Sequence, residues 1–235
     1  MTVLVVDVGG THVKALATGR RRSIRFDSGP HLTAAGMVRE LRSAIADWSY
    51  DRVTIGYPGP VVNGRPLTEP HNLGGGWVGY DFRRAFGCPV RVINDAAMQA
   101  LGSYQGGRML FLGLGTGLGT ATVDRRGVQS LELAHLPYRE GRSYEDYAGI
   151  RGLDRLGHRK WQKHVHIISE LLRQALVADY VVLGGGNSAR LQTLPPNARL
   201  GDNSNAFRGG FRLWEREPDA AGSRRPHPPR KRRTS

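Results

Sequence analysis

A short apolar run that ends in a cluster of glycines occurs twice in this 235-residue chain, once near the start of each half. Residues 3–6 lead to Asp7 and the pair Gly9-Gly10, and residues 109–114 lead to the run Gly115-Thr116-Gly117-Leu118-Gly119-Thr120. Apolar runs bounded by glycine are typical of buried strands. The repetition predicts two α/β domains of similar plan, residues 1–106 and 107–214, that divide near Gly106-Gly107.

Hydrophobic periodicity supplies the remaining predicted elements. In the first half it predicts a helix over residues 33–48, a helix capped by Asn94-Asp95 that runs to about Tyr104, a long loop over 63–79, and strands at 13–18, 23–27, 52–55 and, buried, at 90–93. In the second half it predicts strands at 121–124, 128–133 and 181–183, a helix over 161–180, a short helix from Asn187 and a last helix over 205–215. Gly209-Gly210 should weaken that last helix.

Composition narrows the class of protein. With a single cysteine, Cys88, the chain can form neither an intrachain disulfide nor a cysteine-rich zinc site. No apolar run approaches the length of a membrane span, and the first residues lack a basic signal-peptide region. We therefore expect a cytoplasmic protein that does not interact with membranes.

The net charge is +14, and it stays at +8 when the last fifteen residues are left out. A polyanion such as nucleic acid, polyphosphate or a nucleotide would be attracted to this chain. The alternative is that arginine simply serves as the surface cation. From residue 215 the composition turns to Pro, Arg and Ser, which predicts a disordered basic tail over 215–235. It has no aromatic residues for base stacking, so we do not expect it to bind nucleic acid specifically.

The first glycine turn, Asp7-Val8-Gly9-Gly10-Thr11-His12-Val13-Lys14, joins two strands. It is neither a Walker loop nor a dinucleotide-binding fingerprint, since it does not open a helix. Paired glycines still allow backbone N–H groups to approach a phosphate, Thr11 offers a hydroxyl and Lys14 an ammonium group. Asp7 could hold Mg²⁺ directly or through water. A tight hairpin with an exposed aspartate is the alternative.

Two further glycine runs have the same character. The second turn, with Gly115, Thr116, Gly117 and Gly119, could clamp a phosphoryl chain from the side opposite the first turn. Gly184-Gly185-Gly186 follows a predicted strand, and its backbone could approach a purine or a phosphate. Ordinary turns would explain either run equally well on its own.

Four motifs, taken together and in order, resemble those of ROK-family sugar kinases, which belong to the actin/hexokinase/Hsp70-like superfamily. They are the first glycine turn, Asn94-Asp95-Ala96, the second glycine turn, and Glu132-Leu133-Ala134-His135. The resemblance extends over residues 3–214. It implies a two-lobed actin-like (ribonuclease H-like) ATPase fold with a cleft between similar domains. The absence of the family's zinc-binding cysteines and the segment 159–165 resemble the polyphosphate/ATP glucokinase branch.

The resemblance also implies roles for individual residues. Asp95 would be the catalytic base at the sugar hydroxyl, whereas composition alone also allows it to be a helix N-cap. Asn72, Asn94, Glu132 and His135 would bind the sugar; outside the resemblance, Glu132 is a surface acid and His135 a core histidine. The family usually has glycine where Ala134 stands, and its zinc cluster braces the histidine loop, which here would rely on packing alone.

The implied activity is phosphoryl transfer from ATP or polyphosphate, with Mg²⁺ and without zinc, to a hexose such as glucose. The alternative is a catalytically impaired or non-catalytic sugar-binding relative. Repressors of the family carry a DNA-binding domain before the first turn, and Asp7 lies too near the start of this sequence for one. A homodimer is an expectation taken over from the family.

Overall fold

The computed structural model describes residues 1–202 and 204–215. The predicted tail therefore lies outside the described residues, apart from Glu215, which ends the last helix. Two five-stranded sheets form the centres of two lobes. Within the described ranges, no helix is long and apolar enough to cross a membrane.

The first lobe is built on a sheet with the strand order β3-β2-β1-β4-β7. Its strands β1 and β2 form a hairpin, and β1, β4 and β7 run parallel. A small hairpin, β5–β6, follows β4, and two helices pack beside the sheet. In chain order these elements are β1 (Val3–Val8), β2 (His12–Ala17), β3 (Ile24–Asp27), α1 (Ala34–Ala44), β4 (Arg52–Tyr57), β5 (Val61–Val62), β6 (Arg65–Pro66), α2 (Phe82–Phe86) and β7 (Val90–Asn94).

The second lobe repeats this plan after the linking helix α3 (Asp95–Ser103), with the strand order β10-β9-β8-β13-β14. The central pair β8–β9 is antiparallel, and β8, β13 and β14 run parallel. Its elements are β8 (Met109–Leu114), β9 (Leu118–Asp124), β10 (Gly127–Leu131), β11 (Pro137–Arg139), β12 (Arg142–Ser143), α4 (Glu145–Ala148), α5 (Ile150–Leu156), α6 (His158–Ala175), β13 (Tyr180–Gly184), β14 (Ala198–Leu200) and α7 (Asn205–Glu215).

Three predicted elements differ from the structure. The strand over 90–93, predicted as buried, is the edge strand β7 and is half-buried along most of its length. The predicted loop over 63–79 begins inside the β5–β6 hairpin. The helix predicted over 161–180 begins at His158 and ends at Ala175, where Val177 takes a positive φ of 53°. Two short helices before it, α4 and α5, lack a long enough apolar period to be read from the sequence.

Helix α3 lies between the two sheets. Its alanines pack against the second sheet, where Ala96, Ala97 and Ala100 share a cluster with Phe111. Its opposite face carries Met98, which packs with Val3 and Val5 of the first sheet. The same helix therefore contributes to the cores of both lobes.

Helix α7 crosses α3 at very short range because glycines form the crossing. A β-carbon on Gly102 would overlap the carbonyl oxygen of Asn205, and one on Gly209 would overlap the carbonyl oxygen of Met98. A third glycine of this region, Gly210, sits directly on the Val5 side chain. Gly209 and Gly210, predicted as a weakness of this helix, are thus what allows it to dock.

The end of α7 is tied to the first sheet. Trp214 donates its indole N–H to the Thr54 hydroxyl over 2.8 Å, and that hydroxyl donates to the Gly210 carbonyl over 2.8 Å. Arg52 and Arg91 stack their guanidinium groups on the same indole ring, at 5.0 and 4.1 Å from its centre. The division at 106/107 separates the two sheets, but α7, which it assigns to the second half, packs on the first lobe and on α3.

We predict that Gly209→Ala destabilises the protein. Helix propensity alone would give a gain of about 1 kcal/mol. Overpacking against the Met98 carbonyl should outweigh this gain and leave a net loss of about 1–3 kcal/mol. Urea unfolding measures the difference, with Arg208→Ala on the exposed side of α7 as the control. An increase in stability for Gly209→Ala would contradict the close crossing.

Candidate active site

Two aspartates stand at the carboxyl ends of parallel strands. Asp7 lies near the end of β1, and its Oδ1 is 3.6 Å from where a β-carbon on Gly56 of β4 would be. Asp95 follows β7, the neighbour of β4 in the sheet. The carboxyl edge of a parallel sheet is where α/β proteins place ligand-binding groups. Here it brings two carboxylates that are far apart in sequence to one place.

Asp95 is the first residue of α3, while the helix cap is Asn94. The Asn94 Oδ1 accepts the Ala97 N–H over 3.0 Å, and its Nδ2 donates to the Gly59 carbonyl over 3.1 Å. Asn94 therefore fills the capping role that composition allowed for Asp95, and the Asp95 carboxylate accepts the N–H of Ala96 over 2.7 Å and its own backbone N–H. Asn94 itself is buried and serves as a structural cap.

The surroundings of Asp95 raise its pKa to about 7. Burial is the main cause, because it removes the charged form from water. The negative charge of Asp7 adds to the rise, the Ala96 N–H opposes it, and Glu132 of the second lobe contributes a smaller increase. Asp95 thus interacts with carboxylates of both lobes, which locates it between them.

The first glycine turn lies beside these carboxylates. The Gly9 N–H donates to the His12 carbonyl over 3.0 Å, and the Ser28 hydroxyl donates to the Gly9 carbonyl over 2.6 Å. Gly10 packs against Asn72, whose Cβ would be 3.4 Å from an added β-carbon. The predicted sugar-side residue Asn72 therefore touches the predicted phosphate turn.

Lys14 and Thr11 occupy different positions around this turn. Lys14 is the cross-strand partner of Asp7 in the β1–β2 pair, and its charge partly offsets the burial that raises the pKa of Asp7. Thr11 is exposed, and its carbonyl accepts the Ser28 N–H over 2.9 Å. Lys14 thereby balances the buried carboxylate, and Thr11 keeps an exposed side chain at the turn.

The second glycine turn is shorter than its sequence run. Gly115, Thr116 and Gly117 form the turn, closed by the Gly115 N–H on the Gly117 carbonyl over 3.1 Å. Gly119 lies inside β9 instead, opposite Gly113, where a β-carbon would come within 2.7 Å of the Ala96 Cβ. Gly119 was predicted to bind phosphate from a turn, whereas the structure places it in a strand, where its lack of a side chain lets β9 pack closely on α3.

The third glycine run abuts the second turn. Gly184 is the last residue of β13 and packs on the Phe111 ring, while Gly185 has a φ of +80° and lies against the backbone of Leu114. The following Asn187 donates its side-chain amide to the Gly115 carbonyl over 2.9 Å. Only Gly186 of the three is exposed with open space around it.

Glu132 directly precedes a short 3-10 turn, Leu133–His135, and His135 ends it. The Glu132 carboxylate lies 3.9 Å from the His135 imidazole, and both side chains are more than half exposed. Burial raises the pKa of Glu132, His135 opposes this, and Glu145 raises it further. Glu132 therefore lies close enough to both Asp95 and Glu145 for their charges to interact.

Glu145 is a residue of this region that the sequence analysis missed. Its carboxylate sits directly on Gly117, accepts the Leu118 N–H over 3.3 Å and pairs with Arg151 at 2.9 Å. Residues 144–148 carry no motif that sequence inspection identifies. Only its tertiary contact identifies Glu145: any side chain at position 117 would occupy the space that the glutamate fills.

The donor groups at this edge suit Mg²⁺ held among phosphates. Asp7 and Asp95 offer carboxylate oxygens, the ligands that this ion prefers, and backbone N–H groups of the glycine turns suit phosphate oxygens. The described residues contain no cluster of three or more histidine, cysteine or acidic side chains able to hold a metal alone. Such an ion would have to share its coordination with phosphate and water.

A separate cavity of about 920 Å³ lies along the edge strand β7. Its lining includes Arg65, Arg83 and Leu213 and includes none of the predicted site residues. The inter-lobe region, where the two aspartates and Glu132 interact, is therefore the better candidate for chemistry.

We predict that Asp95→Asn stabilises the protein at alkaline pH. The unfolded carboxyl group has a pKa of about 3.9, while the folded one has about 7. Its ionisation therefore lowers the free energy of unfolding as pH rises from about 4 to 7. The amide variant should unfold like the parent at pH 4 and be more stable at pH 8. Chemical denaturation at both values measures this, with Asp47→Asn at an exposed carboxylate as the control. Equal stability at pH 8 would contradict the buried charge.

Comparisons with known proteins agree with this arrangement. A family model described as the ROK family matches residues 3–129, more than half of the chain. The polyphosphate glucokinase of Mycobacterium leprae (strain TN) is 24% identical over 209 residues, which cover 79% of this chain and 63% of that relative. The chain thus spans slightly less than two thirds of the relative's length.

Solved structures establish the fold. A ROK family glucokinase from Streptomyces griseus, in complex with glucose and AMPPNP, superimposes with a TM-score of 0.72 at 19% identity, covering 91% of this chain and 99% of that one. The inorganic polyphosphate/ATP-glucomannokinase from Arthrobacter sp. strain KM gives 0.70 at 22%, covering 90% and 97%. These likenesses confirm the predicted two-lobed actin-like ATPase fold. Together with the family match, they show that the chain belongs to the ROK family.

Proposed function

We propose that this protein is a hexose kinase that transfers a phosphoryl group from ATP or polyphosphate to a sugar hydroxyl, with glucose as the first candidate. The observation that carries the proposal is Asp95, a half-buried carboxyl group between the lobes, near Asp7 and Glu132, whose pKa is raised to about 7. The relatives support the same reaction: the relative from Mycobacterium leprae is a polyphosphate glucokinase, and one structural neighbour holds glucose and AMPPNP.

Asp95 would act as the general base. Phosphoryl transfer needs a group that accepts the hydroxyl proton, while most of the acceleration comes from positioning and charge stabilisation. A base works best when its pKa lies near the working pH. The rise to about 7 brings Asp95 to that value, and because its carboxylate bonds only to backbone N–H groups of residues 95 and 96, lone pairs remain for the substrate.

The sugar would lie between the Asn72 loop and the carboxylates of the second lobe. Asn72 is exposed beside the first turn, and Glu132, His135 and Glu145, which lie together in the other lobe, would approach the sugar from the opposite side. Amide and carboxylate groups match the donors and acceptors of a polyol. The Asn94 side chain already caps α3 through its oxygen and donates one N–H to the Gly59 carbonyl. We therefore assign it a smaller part in sugar binding, through its remaining N–H.

The phosphoryl groups would lie between the glycine turns. Gly9, Gly10 and Thr11 supply backbone and hydroxyl groups from the first lobe, and Gly115 to Gly117 with Gly186 supply backbone groups from the second. Lys14 would add a positive charge next to Asp7. Mg²⁺ near Asp7 would neutralise phosphate charge when bound.

Basic side chains next to the second turn favour polyphosphate as one donor. Helix α5 begins where Ile150 donates to the Gly115 carbonyl over 3.1 Å, so α5 and α6 lead away from that turn. A chain of phosphates leaving the turn would follow positive charge. The exposed basic residues on this surface, which we call the α5–α6 basic surface, are Arg151, Arg155, Arg159, Lys160, Lys163 and Arg190.

The second candidate is a sugar-binding protein with impaired turnover. The observation that favours it is the exposure of Glu132 and His135, whose side chains are both more than half exposed although they are predicted to hold the sugar. Calorimetry with glucose measures the binding that both functions share, and a coupled assay separates them because only the kinase consumes the donor.

We predict that Asp95→Asn lowers kcat by about 10²–10⁴-fold, the usual contribution of a general base. Sugar binding should remain within a few-fold of the parent, because the amide keeps the shape of the side chain. A coupled assay with a panel of hexoses, run separately with ATP and polyphosphate, gives kcat, and calorimetry gives the dissociation constant. Near-normal kcat in the variant would remove Asp95 from the mechanism.

We predict that neutralising the α5–α6 basic surface affects one donor. Arg159→Gln combined with Lys163→Gln should lower kcat/KM for polyphosphate, more strongly at low salt, and leave kcat/KM for ATP unchanged. Arg21→Gln with Arg22→Gln, exposed in the first lobe, is the matched control. Equal losses with both donors, or none with polyphosphate, would refute this donor path.

A further inference from the structure

An aromatic cluster lies behind the carboxylates of the second lobe. The Tyr138 ring contacts three neighbours, with centroid distances of 5.2 Å to Tyr144, 5.0 Å to Tyr147 and 5.7 Å to His164. Tyr147 in turn lies 4.6 Å from His164. At the centre, the Tyr138 hydroxyl and the His164 Nδ1 are 3.1 Å apart. The cluster joins β11, α4 and α6.

One side of the cluster holds the segment with Glu132 and His135. The Tyr144 N–H donates to the Leu136 carbonyl over 3.1 Å, and the Leu133 N–H donates to the Thr120 hydroxyl over 3.3 Å. Ala134, which lies between Glu132 and His135 in the chain, is buried in the same hydrophobic cluster as Tyr147. Hydrogen bonds thus hold the segment at both ends, at Leu133 and at Leu136, and Tyr138 follows Leu136 by two residues.

The other side holds Glu145. This glutamate begins α4, two residues before Tyr147. The Trp161 indole donates to the Ala148 carbonyl at the end of the same helix over 2.9 Å, which anchors α4 on α6. The positions of Glu132 and Glu145 relative to each other therefore depend on how β11 and α6 enclose α4.

His164 is surrounded by groups that favour its neutral form. Arg139 of β11 and Arg155 of α5 place positive charge near it, the rings of Tyr138 and Tyr147 pack against it, and Glu140 is the acid that opposes the arginines. Burial is the main cause that lowers the pKa of His164, and the two arginines lower it further. A neutral ring can accept the Tyr138 O–H at Nδ1, whereas a protonated ring cannot.

We propose that the Tyr138–His164 pair is a positioning device for sugar binding: its hydrogen bond ties β11, which follows the Glu132–His135 segment, to α6, on which the helix that carries Glu145 is anchored. This inference rests on the proposed function, since it assigns those side chains to the sugar. Protonation of His164 turns Nδ1 from an acceptor into a donor, so the Tyr138 hydroxyl can no longer donate to it and must rotate to accept. It also adds a third positive charge beside Arg139 and Arg155. Sugar affinity therefore falls as the pH drops below the ordinary histidine pKa of about 6.5. The rate of the chemical step should not change through this pair.

The test separates the hydrogen bond from the shape of the core. Tyr138→Phe keeps the ring and removes the hydroxyl, so the KM for the sugar should rise about fivefold, the size of one hydrogen bond, with kcat changed less than twofold. His164→Gln can still accept the hydroxyl but does not titrate. Its KM should equal the parent value at pH 7.5 and stay constant down to pH 5.5, where the parent value rises.

A second readout avoids the titration of the base. The sugar dissociation constant is measured by calorimetry in an Asp95→Asn background, and the parent and His164→Gln proteins are compared at each pH so that other titrating groups cancel. His166→Gln, on the same helix with its Nε2 on the Thr193 carbonyl at 2.9 Å, is the matched control and should follow the parent. Thermal melts check that each variant is folded.

The outcomes are distinguishable. A parent protein that neither binds nor phosphorylates any hexose overturns the proposed function, and this inference with it. A working kinase in which Tyr138→Phe leaves KM unchanged, or in which His164→Gln keeps the parent's pH dependence, overturns this inference alone. If His164→Gln does not fold, the KM and kcat of Tyr138→Phe still decide.

Discussion

The close packing of α3 is the constraint on which the rest of the molecule depends. This helix begins with Asp95 and lies between two sheets, so its distance from each sheet determines where the carboxylate lies. Gly119 lets β9 approach Ala96, and Gly102 and Gly209 let α7 cross the helix at backbone contact. Small residues at these contacts give the helix one well-packed position, because interiors tolerate neither voids nor overlap.

The cleft concentrates negative charge in a chain that is strongly basic. Asp7 and Glu132 both raise the pKa of Asp95, Glu145 raises that of Glu132, and burial is the largest cause for all three groups. Lys14 offsets the charge of Asp7, and further basic side chains lie on the α5–α6 basic surface, where Arg151 pairs with Glu145, and around Trp214. This arrangement suits a site that must take a proton from a neutral sugar and still attract an anionic donor, since the two tasks need opposite fields.

The segment that follows Glu132 packs against an aromatic cluster of the second lobe. Packing between Tyr138, Tyr144, Tyr147 and His164 joins the short elements β11 and α4 to the long helix α6. A β11–β12 hairpin of this size has little stability in isolation. Its geometry therefore comes from the helices around it, which is why the sequence analysis anticipated packing in this place and could not identify the residues.

Several elements follow directly from local sequence. The apolar strands with their glycine ends, the Asn94 cap and the extent of α7 depend on propensity and short-range hydrogen bonds, and these act over a few residues. The order of the motifs was also enough to indicate the family, because the same backbone turns recur in both halves. What the sequence by itself determined was thus the repeated strand-and-turn plan and the residue types at its ends.

The tertiary structure alone decided which of those residues meet. It moved Gly119 from a binding turn into a strand, gave the cap to Asn94 and released Asp95, and brought Glu145 onto Gly117 from 28 residues away along the chain. It also turned the two glycines of α7 from a local weakness into a docking surface. The physical reason is that burial, overlap and charge interaction depend on distance in space, and local propensity carries no information about contacts between residues far apart in the chain.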